Sequence, residues 1–135
     1  MINRVVLDTN ILLDLLHFEN PDLNQLRQDL DHGSIISYTN TLILEEFAEV
    51  IARPAFKNNA DKVATLIQKS QHLSQLVDDV LPKAPLKCKD RDDQIFINLA
   101  FHLAPCSLIS KDNEVLRLAG RAKPYQVKIL KIWNR

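Results

Sequence analysis

The sequence predicts an α/β domain, a mainly parallel sheet with helices on both faces, and three observations carry that expectation. Short β-branched and apolar runs alternate with segments of helical periodicity, the order of a sheet built from strand-helix-strand units. Four acidic residues, Asp8, Glu46, Asp93 and Asp112, each follow a strand-like run or stand near the start of a helix-like one. The chain has 135 residues, 46% apolar and 25% charged, with only two Gly and six Pro. That make-up suits a globular, rather helical chain, one domain over residues 1–135.

Arg4 to Leu7 is a buried-strand run that ends at Asp8-Thr9-Asn10, a turn able to cap the helix-compatible stretch Ile11 to Phe18. Asn20-Pro21 breaks that helix, and Leu23, Leu26 and Leu30 recur at helical spacing until Gly33 supplies a C-terminal stop. Ser34 to Tyr38 has strand composition. Thr39 or Asn40 then caps a helix that carries Leu42, Glu46, Phe47 and Val50 and stops at Arg53-Pro54. The cleanest 3.6-residue periodicity runs from Ala60 to Leu81, through Val63, Leu66, Ile67, Leu73, Leu76, Val77 and Val80, and predicts one long amphipathic helix or a bent pair. Pro82 and Pro85 end it. A lysine-bearing connector reaches Lys89, and the acidic turn Asp90 to Asp93 opens a helix over Ile95 to Leu103. Cys106 to Ser110 reads as a strand, Asp112 to Ala119 as a short helix, and Gln126 to Ile132 as a final strand with a basic, exposed face.

Seventeen basic residues balance seventeen acidic ones, so bulk charge points to neither nucleic acid nor membrane, and a polyanion would need a local basic patch. Cys88 and Cys106 lack metal-ligand spacing and read as reduced thiols. His17, His32, His72 and His102 are scattered without a ligand pattern, which argues against zinc. Arg4 and Asp8 interrupt the stretch a signal peptide would need apolar, and no run reaches transmembrane length, so a cytoplasmic protein with no membrane partner is expected.

Parallel strands laid side by side bring their carboxyl ends to one rim, the place where α/β folds bind ligands. Carboxylates converging there repel unless a cation or a proton joins them. Mg²⁺ and Mn²⁺ prefer oxygen ligands and keep several waters, so a few acids on a shared rim suit them. Such ions serve phosphodiester hydrolysis by activating water and neutralising charge. Each acid taken singly reads equally as a helix cap or first-turn residue, and Glu46 as a solvated helix position beside Glu45 and Glu49. Only the combination points to a site, with Asp8 its best-placed member because it directly follows the apolar run Val5-Val6-Leu7.

The segments VVLDTNILL, LEEF, DDQIFINLA and LISKDNEVL, in that order over almost the whole chain, resemble the PIN-domain family and its prokaryotic toxin-like branch. The resemblance implies a three-layer α/β/α sandwich with the acids at the carboxyl edge of the sheet. It further implies an endoribonuclease in which Asp8, Glu46, Asp93 and Asp112 hold Mg²⁺ or Mn²⁺. The branch implies the toxin of a toxin-antitoxin pair, with RNA as substrate, a small antitoxin protein over the acidic cleft, and a homodimer. Asp93 matches the family's third acid because it heads the apolar helix, and Asp92 assists or simply caps. Lys111 and Glu114 stand where the family often has Gly or Arg and another Asp, and Glu114 is a candidate outer ligand. Thr9, Asn10, Asp92, Ser110 and Glu114 lie beside the matched acids, where a hydrogen bond to a carboxylate would fix ligand geometry, though cap and turn roles suit them as well.

With no net charge, RNA affinity would rest on a local set such as Arg4, Arg53, Lys57, Lys87, Lys89, Arg91 and Lys111. Tyr38, Phe56 and Tyr125 are candidates for stacking on unpaired bases, with core packing the plainer reading of Phe56. Two other functions fit the same acids: an inactive module that only binds RNA or protein, and a receiver-like phosphoryl-transfer protein. The second lacks the lysine-centred phosphorylation site that such a protein would show.

Overall fold

Val5, Val6 and Leu7 are buried almost completely, and the fold is arranged around the strand that carries them. A computed structural model describes residues 3–77 and 80–133. Its strands are β1 (Asn3–Leu7), β2 (Ile35–Thr39), β3 (Ser74–Leu76), β4 (Cys106–Ile109) and β5 (Val127–Leu130). They form one all-parallel sheet in the order β3-β2-β1-β4-β5. Seven α-helices accompany it among the described residues: α1 (Thr9–Leu12), α2 (Asn24–Asp31), α3 (Thr41–Ile51), α4 (Ala60–Leu73), α5 (Gln94–His102), α6 (Asn113–Leu116) and α7 (Ala119–Ala122).

From β1 the chain steps outward through β2 to β3, then returns to the other side of β1 and steps outward again through β4 to β5. Right-handed crossovers in opposite directions place α1 to α4 over one face and α5 to α7 over the other, which makes a three-layer α/β/α fold. Phe47 and Ile51 of α3 and Leu66 of α4 belong to the same buried cluster as Phe96, Ile97 and Leu99 of α5, with β1 and β4 between the layers. The reversal of direction falls between β1 and β4, so a crevice opens at their carboxyl ends.

Four elements depart from the expected ones. The helix expected from Ala60 to Leu81 ends at Leu73, and Ser74–Leu76 leaves it to become the edge strand β3. The apolar period runs on past Leu73, but β2 presents an open edge there. Ser74 pairs with Ser37, the two hydroxyls 2.7 Å apart, and the Val77 N–H donates to the Thr39 carbonyl at 2.8 Å. Leu76 is 65% exposed, so its place in the helical period reflects no burial. Asp78 and Asp79 of the expected helix lie outside the described residues. The helix expected over Ile11 to Phe18 is α1 followed by a π-helical turn, Leu13–His17, closed by the Phe18 N–H on the Leu13 carbonyl at 2.9 Å. The helix expected over Asp112 to Ala119 divides into α6 and α7, and the last strand stops at Leu130. Of the two cap candidates for α3 the cap is Asn40, whose side chain accepts from the Ile43 N–H at 3.0 Å. Gly33, at φ 73°, takes the left-handed conformation that ends α2 and admits glycine without strain.

Candidate metal centre

Asp8 directly follows β1 and caps α1, its carboxylate accepting the Ile11 N–H at 2.9 Å. Its own N–H continues the ladder to the Ile109 carbonyl at 3.2 Å, which sets Asp8 beside Ser110 at the rim. Ser110 is wholly buried and links two acids: its hydroxyl hydrogen-bonds the Asp8 side chain and its oxygen accepts the Asp112 N–H at 3.0 Å. Burial pushes the Asp8 carboxyl above its usual range. The bonds from Ser110 and Ile11 oppose that shift, and the charges of Asp112 and Glu46 add to it.

Glu46 projects from α3 and accepts the Thr9 hydroxyl at 3.0 Å, so the residue after Asp8 orients the acid of the neighbouring helix. Its neighbour Glu45 is exposed. On the far side, Asp90 opens a short 3₁₀ turn (Arg91–Asp93) by accepting the Asp92 N–H at 3.0 Å, and Asp93 leads from that turn into α5. Asp112 caps α6 through the Glu114 N–H at 2.8 Å. Asp90, Asp93 and Asp112 each offer a carboxylate oxygen, and these atoms all lie within 4.8 Å of one another. Asp93 bears the consequence, its pKa pushed up to about 7 by burial, by the charge of Asp112 and a hydrogen bond with it, and by the charges of Asp90 and Asp8. Its Oδ2 is buried and has no hydrogen-bond partner among the described residues.

The structure therefore places Asp8 in electrostatic contact with Glu46, Asp93 and Asp112, and packs Asp93 and Asp112 tightly with a further acid, Asp90. Asp90 is the member that sequence reasoning passed over. A run of three acids in Asp90-Arg91-Asp92-Asp93 marks a turn, but which carboxylates face inward depends on how that turn closes. Asp92, expected as an assisting residue or a cap, is exposed and stands outside the group, contributing its backbone N–H to Asp90. Asn10 is exposed on α1. Glu114 turns to Arg117, with which it forms an ion pair at 3.2 Å. Cys88 is a buried free thiol whose pKa is raised, first by burial, and also by the charges of Asp93, Asp112 and Asp90.

This donor set suits a hard divalent cation. All of its ligand atoms are carboxylate oxygens, one buried oxygen lacks any donor among the described residues, and Lys111, the neighbour of Asp112, is paired with Asp14 instead. Asp90, Asp93 and Asp112 would hold the ion directly, with Asp8 and Glu46 completing the acidic wall. No helix among the described residues is long and apolar enough to cross a membrane. In comparison with known proteins, a family model described as PIN domain matches residues 4–114. No curated protein matches the chain.

Proposed function

The chain belongs to the PIN-domain family, and from the acidic crevice we propose that it is a Mg²⁺- or Mn²⁺-dependent endoribonuclease that hydrolyses RNA phosphodiester bonds. The observation that supports this reading most is the trio Asp90, Asp93 and Asp112, packed within 4.8 Å, with a buried oxygen on Asp93 that has no partner among the described residues. Such crowding is costly without a counter-charge and becomes favourable with one.

When bound, the divalent ion supplies charge neutralisation and an activated water for in-line attack on phosphorus. The chain's own residues prepare the place. Asp8 is aimed by the Ile11 N–H and the Ser110 hydroxyl, and Glu46 by the Thr9 hydroxyl. Near neutral pH the Asp93 carboxyl, hydrogen-bonded to Asp112, retains a proton for part of the time, so loading the site releases that proton. Asp8 and Ser110 directly follow the adjacent strands β1 and β4, so the sheet ladder sets their spacing. The same reading extends to the toxin of a toxin-antitoxin pair with an antitoxin protein as partner and a homodimer as assembly, which rests on the sequence resemblance alone.

The test is cleavage of a mixed-sequence single-stranded RNA by purified protein with Mn²⁺, Mg²⁺ or EDTA, comparing wild type with Asp8→Asn and Asp93→Asn. Metal-dependent cutting that falls by about 100-fold or more in both variants is the expected result. Folded wild type that binds Mn²⁺ by calorimetry, retains RNA and never cuts it would favour the inactive binding module.

A further inference from the structure

Lys111 stands between two residues of the site, Ser110 and Asp112, yet its side chain does not turn in to the acids. It is ion-paired with Asp14. Asp14 lies in the π-helical turn after α1, where the wider winding shifts side chains relative to a regular helix. That turn is held on its other side, because Arg27 donates to the carbonyl of the adjacent Leu15 at 3.1 Å. The Asp14 side chain is 16% exposed and that of Lys111 is 42% exposed, so the pair has an inner anchor and an outer cation.

Other cations of the chain are differently engaged. Arg4 donates to the Leu103 carbonyl near the opposite end of β1, Arg53 pairs with Glu49, and Arg117 pairs with Glu114. Lys89 and Arg91 are exposed beside Asp90, with no hydrogen bond or ion pair fixing them among the described residues. Lys111 is thus a cation both adjacent to the acidic crevice and fixed in position. An ammonium has three donors, and one partner leaves the others for an incoming anion.

We propose that Lys111 is a phosphate-positioning residue, held at the mouth of the crevice by Asp14 to receive a backbone phosphate of the RNA strand next to the one that enters. This rests on the ribonuclease reading. The acids repel RNA, and a fixed positive charge just outside them compensates without competing for the metal. Asp14 keeps the long side chain from folding onto Asp93 or Asp112. A competing role is mechanical, with the pair acting only as a staple between the first helix and the loop of the fourth acid.

Lys111→Gln separates the two, since glutamine can still donate to Asp14 but carries no charge. Binding of a labelled single-stranded RNA is followed by anisotropy against NaCl concentration in the non-cutting Asp93→Asn protein, alone and with Lys111→Gln, Lys111→Ala, Lys111→Arg or Asp14→Asn added. Lys111→Gln and Lys111→Ala are expected to weaken binding severalfold and to flatten the slope of log K against log salt by about 0.7, the value for one phosphate contact on a single strand. Lys111→Arg is expected to restore the slope, and Asp14→Asn to weaken binding less and leave the slope in place. With the acids intact, Lys111→Gln raises KM and spares kcat. An unchanged affinity and slope in Lys111→Gln, with only a lower Tm in Lys111→Ala, would overturn the proposal in favour of the staple while wild-type cleavage still upholds the ribonuclease. Wild type that neither binds nor cuts RNA would overturn both.

Discussion

Asp29 is withdrawn from solvent completely and Asp93 in part, yet the first is met by donors and the second by other acids. Asp29, on α2, is 1% exposed and accepts from the Gln25 side chain at 3.0 Å and from the Trp133 indole N–H at 2.7 Å. That last bond ties the end of the described chain to α2 across 104 positions. Asp93 has Asp90 and Asp112 within 4.8 Å and leaves Oδ2 without a partner among the described residues. A buried carboxylate supplied with donors is part of the architecture. Crowded carboxylates with an unfilled oxygen cost stability until a positive charge arrives, and that cost is what a metal centre converts into affinity.

The sharpest way to break this contrast is Asp29→Ala. It leaves the buried Trp133 indole N–H and the half-buried Gln25 amide without their acceptor and should cost about 3 kcal/mol, or about 10 °C in Tm. Urea denaturation measures the loss, and cleavage per folded molecule should be unaffected. A variant as stable as wild type would show that Asp29 carries no architectural load.

Ser110→Ala tests the opposite pole at smaller cost. Removing the hydroxyl deprives Asp8 of a bond that favours its charged form, so Mn²⁺ affinity by calorimetry should fall about 10-fold with little change in Tm. An equal loss of affinity and of stability would mean that Ser110 acts on packing instead.

The smallest effect expected is on pH. Asp93 has a folded pKa of about 7, against an ordinary value of 3.8. Because the folded form binds the extra proton, metal-free stability from this group is fully present below about pH 4 and is lost as pH rises through about 7. Solvent screening limits the loss to about 1 kcal/mol, or about 4 °C. In metal-free protein, the Tm of Asp93→Asn should therefore overtake that of wild type progressively between pH 4 and 7, and Mn²⁺ at pH 8 should close the gap. A Tm difference that stays constant with pH would remove the electrostatic strain from this account.

Much of this was legible in the sequence where a local pattern and a burial requirement agree. Val5-Val6-Leu7 is apolar without alternation because β1 is covered on both faces, and Asp8 is recognisable as the polar residue where that run ends. β3 was not legible. Ser74–Leu76 keeps the period of the helix before it, and only the open edge of β2 turns those residues into a strand. Asp90 was not legible either, because the turn at Asp90-Arg91-Asp92-Asp93 offers three carboxylates with similar local prospects, and its closure onto α5 brings two of them to Asp112.

By itself the sequence determined the alternation of strands and helices, the acids at the ends of strands and starts of helices, and the motifs that mark the family. These are local properties, set by side-chain periodicity, capping and burial within a few residues. Tertiary structure alone decided which acids meet, that Ser110 joins Asp8 to Asp112, and that Lys111 finds Asp14 from 97 positions away. Those outcomes depend on strand order. Only when β4 is laid beside β1 do distant segments share one rim, and the free energy that places it there belongs to the whole core.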